Sequence, residues 1–273
     1  MTAGDVEVVR GTLDSRQAVA LDGTDDYVLA DAHAVARVAA GDTVGTYSAW
    51  IFTDNIDATA VILSAGDDNS ASEYLRFESF SGVLRIIVYH GGANQFVIKE
   101  TTGSIPAKKW THVAVVMNGT RPVLYVNGKA VAMTDDVTTD LTAWYDVLTL
   151  VDKFAIGVLE SNNTHTNDFR GMISDVKYWN LALTAKQMLD DYQGNTADPD
   201  VTAHLQSHWD MDGDAVDAGL GADNGTATGH AYFCGWGSEW ARQIELNALV
   251  ADKIENLGYD SAGIQTSLIL KAA

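Results

Sequence analysis

Trp110-Thr111-His112-Val113-Ala114-Val115-Val116-Met117, with its return arm Pro122-Val123-Leu124-Tyr125-Val126-Asn127-Gly128-Lys129-Ala130-Val131, decides the fold. The first run is apolar at successive positions, the pattern of a strand covered on both faces. Asn127-Gly128 sits between alternating apolar arms. That pair suits a type I′ turn, whose two central residues both need φ > 0. Two tight hairpin signals so close together predict an antiparallel β core.

Working outward, 18–30 reads as a strand, an acidic Gly turn and a second strand. Residues 1–15 are a weakly patterned N-terminal arm, and 31–46 read as loop or a short helical turn. Residues 47–53 form a strand with Trp50 and Phe52 on one face. Short β-branched or aromatic runs follow at 60–64, 74–78, 83–89, 95–100, 153–159 and 171–179, separated by Gly, Asp, Asn and Ser. Such spacing indicates a two-sheet, all-β sandwich or jelly roll rather than α/β. Trp50, Trp110 and Trp179 are assigned to the core, and His112 to a satisfied interior position.

One helix interrupts. Thr184-Ala185-Lys186-Gln187 fits a capping box, so a helix runs to about Tyr192 and stops at Gly194. A linker with Pro199, a strand over 203–211 and a Gly/Asp/Asn loop over 212–229 come next. In the tail, 238–273, Trp240, Ile244, Leu249, Ile254 and Leu257 approximate an apolar helical stripe.

The 273 residues are 47% hydrophobic, enough for a sizeable core. The net charge of -20 argues against nucleic acid, whose binders supply cations to phosphate, and against anionic membranes. It suits divalent cations and high solubility. A single cysteine, Cys234, excludes an intrachain disulfide. Met1-Thr2-Ala3-Gly4-Asp5 has neither the basic nor the apolar region of a signal peptide. No apolar run approaches the ~18 residues of a membrane helix. The expectation is synthesis and folding in a cytoplasm, unless a leaderless route exports the chain, and no membrane insertion.

Three motifs then resemble a known family. Ala20-Leu21-Asp22-Gly23-Thr24-Asp25-Asp26-Tyr27-Val28 is similar to the entry motif of the laminin-G-like, concanavalin A-like jelly roll. The 110–131 hairpin resembles its central hairpin. Phe169-Arg170-Gly171-Met172-Ile173-Ser174-Asp175-Val176-Lys177-Tyr178-Trp179 through Thr184 resembles its closing strand and helix entry. The resemblance covers 16–195. A fourth piece, His208-Trp209-Asp210-Met211-Asp212 with Asp217 and 224–229, more often precedes the entry motif in relatives. Here it follows the helix. Completion of the sandwich by 196–237 is favoured over a truncated second unit, because too few strands remain for a second core.

The family includes glycan hydrolases, lectins and structural proteins. Hydrolases of this fold place alternating Glu and Asp on one strand, because the chemistry needs a carboxyl pair at fixed separation. No Glu-x-Asp-x-Glu occurs here, nor His-Glu-x-x-His, nor Gly-x-Ser-x-Gly, so a non-catalytic module is expected. The resemblance implies a structural Ca²⁺ held by Asp22 and Asp175 with a backbone carbonyl. The alternatives are that Asp22 caps its own turn and Asp175 pairs with a nearby Lys or Arg. Sugar-binding candidates are Tyr74, Arg76, Tyr89, His90, Asn94, Trp144, Tyr145 and the polar loop 160–167 with Asn162, Asn163, His165 and Asn167. The tail stripe either folds back or docks on another subunit. The expected function is a virion structural protein, a phage head decoration or tail adhesion component, whose partners are other virion or self subunits and surface glycans. The alternative is an extracellular bacterial glycan-binding adhesion module.

Overall fold

The computed structural model describes residues 17–53, 55, 58–195 and 198–235. The chain divides into Met1–Gly237 and Ser238–Ala273, and the fold below is that of the first unit. The N-terminal arm and the tail residues Trp240, Ile244, Leu249, Ile254 and Leu257 lie outside the described residues.

In chain order the elements are β1 (Gln17–Asp22), β2 (Tyr27–Leu29), α1 (Asp31–Ala40), β3 (Gly45–Thr53), β4 (Thr59–Gly66), β5 (Tyr74–Phe80), β6 (Val83–His90) and β7 (Ala93–Glu100). The central hairpin is β8 (Thr111–Met117) with β9 (Pro122–Val126) and β10 (Lys129–Ala130). Then come β11 (Met133–Thr138), β12 (Lys153–Ile156), β13 (Leu159–Ser161), β14 (Thr164–Thr166) and β15 (Arg170–Trp179). The described part ends with α2 (Ala185–Tyr192), α3 (Pro199–Ala203), β16 (Leu205–Trp209), β17 (Thr226–Thr228) and β18 (Tyr232–Gly235).

Two antiparallel sheets of eight strands face each other, a jelly-roll sandwich. The first runs β10-β9-β8-β3-β15-β1-β18, with β16 also on β15; the second runs β11-β7-β6-β5-β4-β12-β2-β17. Asn127 and Gly128 have φ of 49° and 72°, as a type I′ turn requires. β8 is buried along its whole length. Val113, Val115 and Met117 enter the inter-sheet core, while Ala114 and Val116 join a second apolar cluster with Trp179, Leu183 and Met188. That second cluster lies beneath α2, on the outer face of the first sheet. The Thr184 capping box is formed in both directions, and it fixes where α2 begins.

The segment after α2 supplies strands to both sheets. β16 pairs β15, β17 pairs β2, and β18 pairs β1. β1 and β16 share one edge of β15, meeting at an irregularity between Ser174 and Lys177 where Asp175 has φ 52°.

Two expectations are corrected. Residues 31–40, read as loop or a short helical turn, are a three-turn helix: its buried residues are His33, Ala34 and Arg37, two of them polar, so no apolar stripe announces its length. Trp50 and Trp179 are buried, as expected, but on the outer side of the first sheet and not between the sheets. Trp50 stacks on Tyr192 at 5.5 Å, and Trp179 is in the cluster under α2. The tryptophans of the inter-sheet core are Trp144 and Trp209, with Tyr145 beside them. Trp144 and Tyr145 are therefore packing residues and not ligand contacts.

Candidate functional site

Among the described residues, the outer face of β5–β6–β7 brings together aromatic and charged side chains. Leu75 and Phe77 point into the core, so alternation turns Tyr74, Arg76 and Glu78 outward. Ser81 and Gly82 have φ of 50° and 76°. This tight turn sets the register: Tyr74 opposes Tyr89, Arg76 opposes Ile87, and Glu78 opposes Arg85.

The Tyr74 and Tyr89 rings are parallel within 5°, with centroids 4.9 Å apart. The Arg76 guanidinium lies 5.5 Å from the Tyr74 centroid, and that of Arg85 lies 3.8 Å from the Phe80 centroid. Both arginines turn Nε toward Glu78, Arg76 at 3.3 Å and Arg85 in a close hydrogen bond. Glu78 is fully buried between them. Burial raises its carboxyl pKa, and the two guanidinium charges partly offset that. At the rim, His90 Nδ1 is 2.9 Å from Glu73, whose other oxygen accepts the Leu150 amide at 2.7 Å. Asn94 lies opposite Tyr89 on β7.

The structure separates the remaining sugar candidates from this face. Asn162 and Asn163 have φ of 55° and 51°; they make the β13–β14 turn, a conformation asparagine tolerates. Asn167 also has positive φ, and its carbonyl accepts the Val61 amide at 2.9 Å. His165 packs on Tyr27 at 4.6 Å and faces Glu160 at 3.6 Å. Glu160 itself is buried, which raises its pKa despite the imidazole. The hairpin borders the Tyr74 end, because the Glu160 carbonyl sits over Gly66, the strand partner of Tyr74. A Cβ on Gly66 would stand 2.0 Å from that carbonyl. Gly66→Ala is therefore expected to cost about 1–3 kcal/mol and to lower Tm by roughly 5 °C. Hydrogen exchange in 159–166 reads the displacement, and an unchanged Tm would show that the hairpin yields freely.

Asp22 and Asp175 do not meet. Asp22 opposes Arg170 on β15. Asp175 lies beyond Ile173 on that strand, roughly 16 Å from Arg170 at about 3.3 Å per residue. Asp22 Oδ1 accepts the Thr24 amide at 2.8 Å and caps its own turn. Asp175 pairs with Lys177 at 2.7 Å and His208 at 2.7 Å. Among the described residues, Asp25, Asp26 and His230 are the group whose ligand atoms fall within 4.8 Å of one another. Asp26 already accepts the Asp22 and His230 amides.

Two other features do not compete as sites. Ser207, His33 and Asp223 are linked inside the core and are 0%, 0% and 4% exposed. The Ser207 hydroxyl donates to Asp223 at 3.1 Å, so its proton points away from the imidazole. His33 also contacts Tyr47 at 2.7 Å, and burial lowers its pKa, which keeps it neutral. A groove of about 560 Å³ lies between Val126, Lys129 and Val131 on one side and Leu189 and Tyr192 on the other. It belongs to the first sheet and brings no cluster of charged groups together.

Comparison with known proteins fits this architecture. Residues 22–188 match the family model described as the concanavalin A-like lectin/glucanases superfamily, and the chain belongs to that family. A comparison with curated protein sequences returns no match. Among solved structures, the carbohydrate-binding module (CBM40) of the Ruminococcus gnavus IT-sialidase, bound to α2,3-sialyllactose, is similar. The TM-score is 0.54 at 15% identity, covering 66% of this chain and 99% of that one. A putative carbohydrate-binding protein from Bacteroides ovatus aligns with TM-score 0.54 and 20% identity over 83% of this chain and 61% of its own. The leech intramolecular trans-sialidase aligns with TM-score 0.53 and 18% identity, over only 26% of its length. At these identities the likeness is one of fold.

Proposed function

We propose that this member of the concanavalin A-like superfamily is a non-catalytic glycan-binding module whose site is the outer face of β5–β6–β7. The observation that carries the reading is the parallel Tyr74–Tyr89 pair, set beside Arg76, Glu78 and Arg85. Aromatic faces pack against the C–H faces of a sugar, and a few polar groups beside them fix orientation. The carbohydrate-binding modules of similar fold support a glycan as the ligand. Glu78 lies fully buried between its arginines and is poorly placed for the two-carboxyl chemistry of a glycosidase.

Binding to an immobilised glycan panel tests this. Tyr89→Ala is expected to weaken the best ligand at least about tenfold, the equivalent of ~1.4 kcal/mol. Tyr232→Ala, an exposed tyrosine on β18 of the other sheet, leaves affinity unchanged. Binding that survives loss of Tyr89, or no glycan bound at millimolar concentration, would refute the proposal. Attachment to a virus particle is the second reading. It rests on the apolar stripe from Trp240 to Leu257, and the mass in solution of the full chain against one ending at Gly237 tests it.

A further inference from the structure

Resting on the proposed function, we infer that the preferred ligand is an acidic saccharide, one whose sugar carries a carboxylate or sulfate held by the terminal nitrogens of Arg76 and Arg85.

One guanidinium would neutralise Glu78; two leave a unit of positive charge on the Arg76–Glu78–Arg85 group, with Glu73 apart from it at the rim beside His90. The chain as a whole carries -20, so a cationic group runs against its overall balance. Arg85 donates its Nε to Glu78, and the Arg76 Nε lies 3.3 Å from the other Glu78 oxygen as an ion pair without a hydrogen bond. Neither guanidinium makes a hydrogen bond through its Nη atoms among the described residues. Those Nη atoms are also absent from the buried atoms left without a partner, so they reach solvent. The side chains as a whole are only 18% and 14% exposed. Stacking on Tyr74 and Phe80 and anchorage by Glu78 hold the planes in place before any ligand arrives.

A fixed guanidinium with free Nη donors matches an oxyanion with two coplanar or tripod oxygens. Preorganisation removes the entropy cost of ordering two long side chains on binding. Lys99, opposite Arg85, does not add to the charge, because Asp136 lies 2.7 Å from its ammonium. The anion is therefore expected over Arg76 and Arg85, with the neutral part of the saccharide toward Tyr74 and Tyr89.

Calorimetry with lactose, 3′-sialyllactose and 3′-sulfolactose on the full chain tests the inference. The three share one neutral core and differ in the acidic group. At least about a tenfold preference for one or both acidic sugars is expected in low salt, shrinking as NaCl rises. Arg76→Lys keeps the charge and removes the fork; it is expected to cut the preference several-fold. Arg85→Gln removes the charge, leaves Glu78 one arginine, and is expected to cut the preference further; an unchanged Tm for each variant shows that the fold persists. Equal affinity for lactose and the acidic sugars, still dependent on Tyr89, would overturn the inference and leave the glycan-binding proposal standing. Failure of all three sugars and of the glycan panel would overturn both.

Discussion

Lys177→Met is expected to lower stability by about 3–5 kcal/mol and Tm by roughly 10 °C. Lys177 is buried on the outer face of the first sheet. Its ammonium lies 2.7 Å from Asp175 and 3.0 Å from Asp191. Asp191 is 3.0 Å from His112, and Asp175 is 2.7 Å from His208. One cation thus holds together β15, β8, β16 and α2. Burial alone would raise the carboxyl pKa values; the ammonium and the imidazoles instead hold Asp175 far below the carboxylate range and Asp191 at about 2. The Lys177 pKa is correspondingly pushed up, against its own burial.

Methionine keeps the length of the stem and removes only the charge, leaving the buried Asp191 and the partly buried Asp175 with His112 and His208 as their remaining partners. The pH dependence follows from the signs. Depressed carboxyl pKa values give stability that is complete above the ordinary value of 3.8 and lost as pH falls toward about 2. In the variant those carboxyls titrate higher, and protonation relieves them. The gap in Tm between the two proteins is therefore expected to narrow on acidification from pH 7 to pH 3. Thermal melts at both pH values check this; equal Tm at pH 7 would mean that the pairs contribute little.

The second large effect is expected at Asp217. Its carboxylate accepts the amides of His208 and Gly219, both at 2.6 Å, and of Asp223 at 2.8 Å. Asp217 is 7% exposed. Asp217→Ala leaves three backbone donors unpaired, each worth about 1–3 kcal/mol when buried. A net loss of about 3 kcal/mol or more is expected, with faster hydrogen exchange first in β16 and β17. Loss of protection spread evenly over the sandwich would show instead that the segment is not held by this one side chain.

Legibility from sequence followed the range of the interaction. The β8–β9–β10 hairpins and the start of α2 were readable because each is specified within a few residues: Asn127-Gly128 permits two positive φ values, and Thr184 with Gln187 closes a capping box. Tyr74, Arg76 and Tyr89 were identified as candidates by residue type. Arg85 was missed, although the Ser81-Gly82 turn carries the signal: once it is taken as type I′, Glu78 and Arg85 must be cross-strand neighbours. Trp144 and Tyr145 were misread, because an aromatic pair in a polar loop looks the same whether it faces solvent or plugs a core.

The sequence by itself determined the fold class, the tight turns and the alternation that puts Tyr74, Arg76 and Glu78 on one side of a strand. These depend on backbone sterics and on a period of two, both local. Only the tertiary structure decided which face of each strand meets the other sheet, since β8 is buried on both faces and β15 nearly so. It also decided pairing register, which places Asp22 opposite Arg170 and not near Asp175. And it decided that Lys177 is surrounded by groups from four elements, a juxtaposition set by long-range pairing that no local pattern encodes.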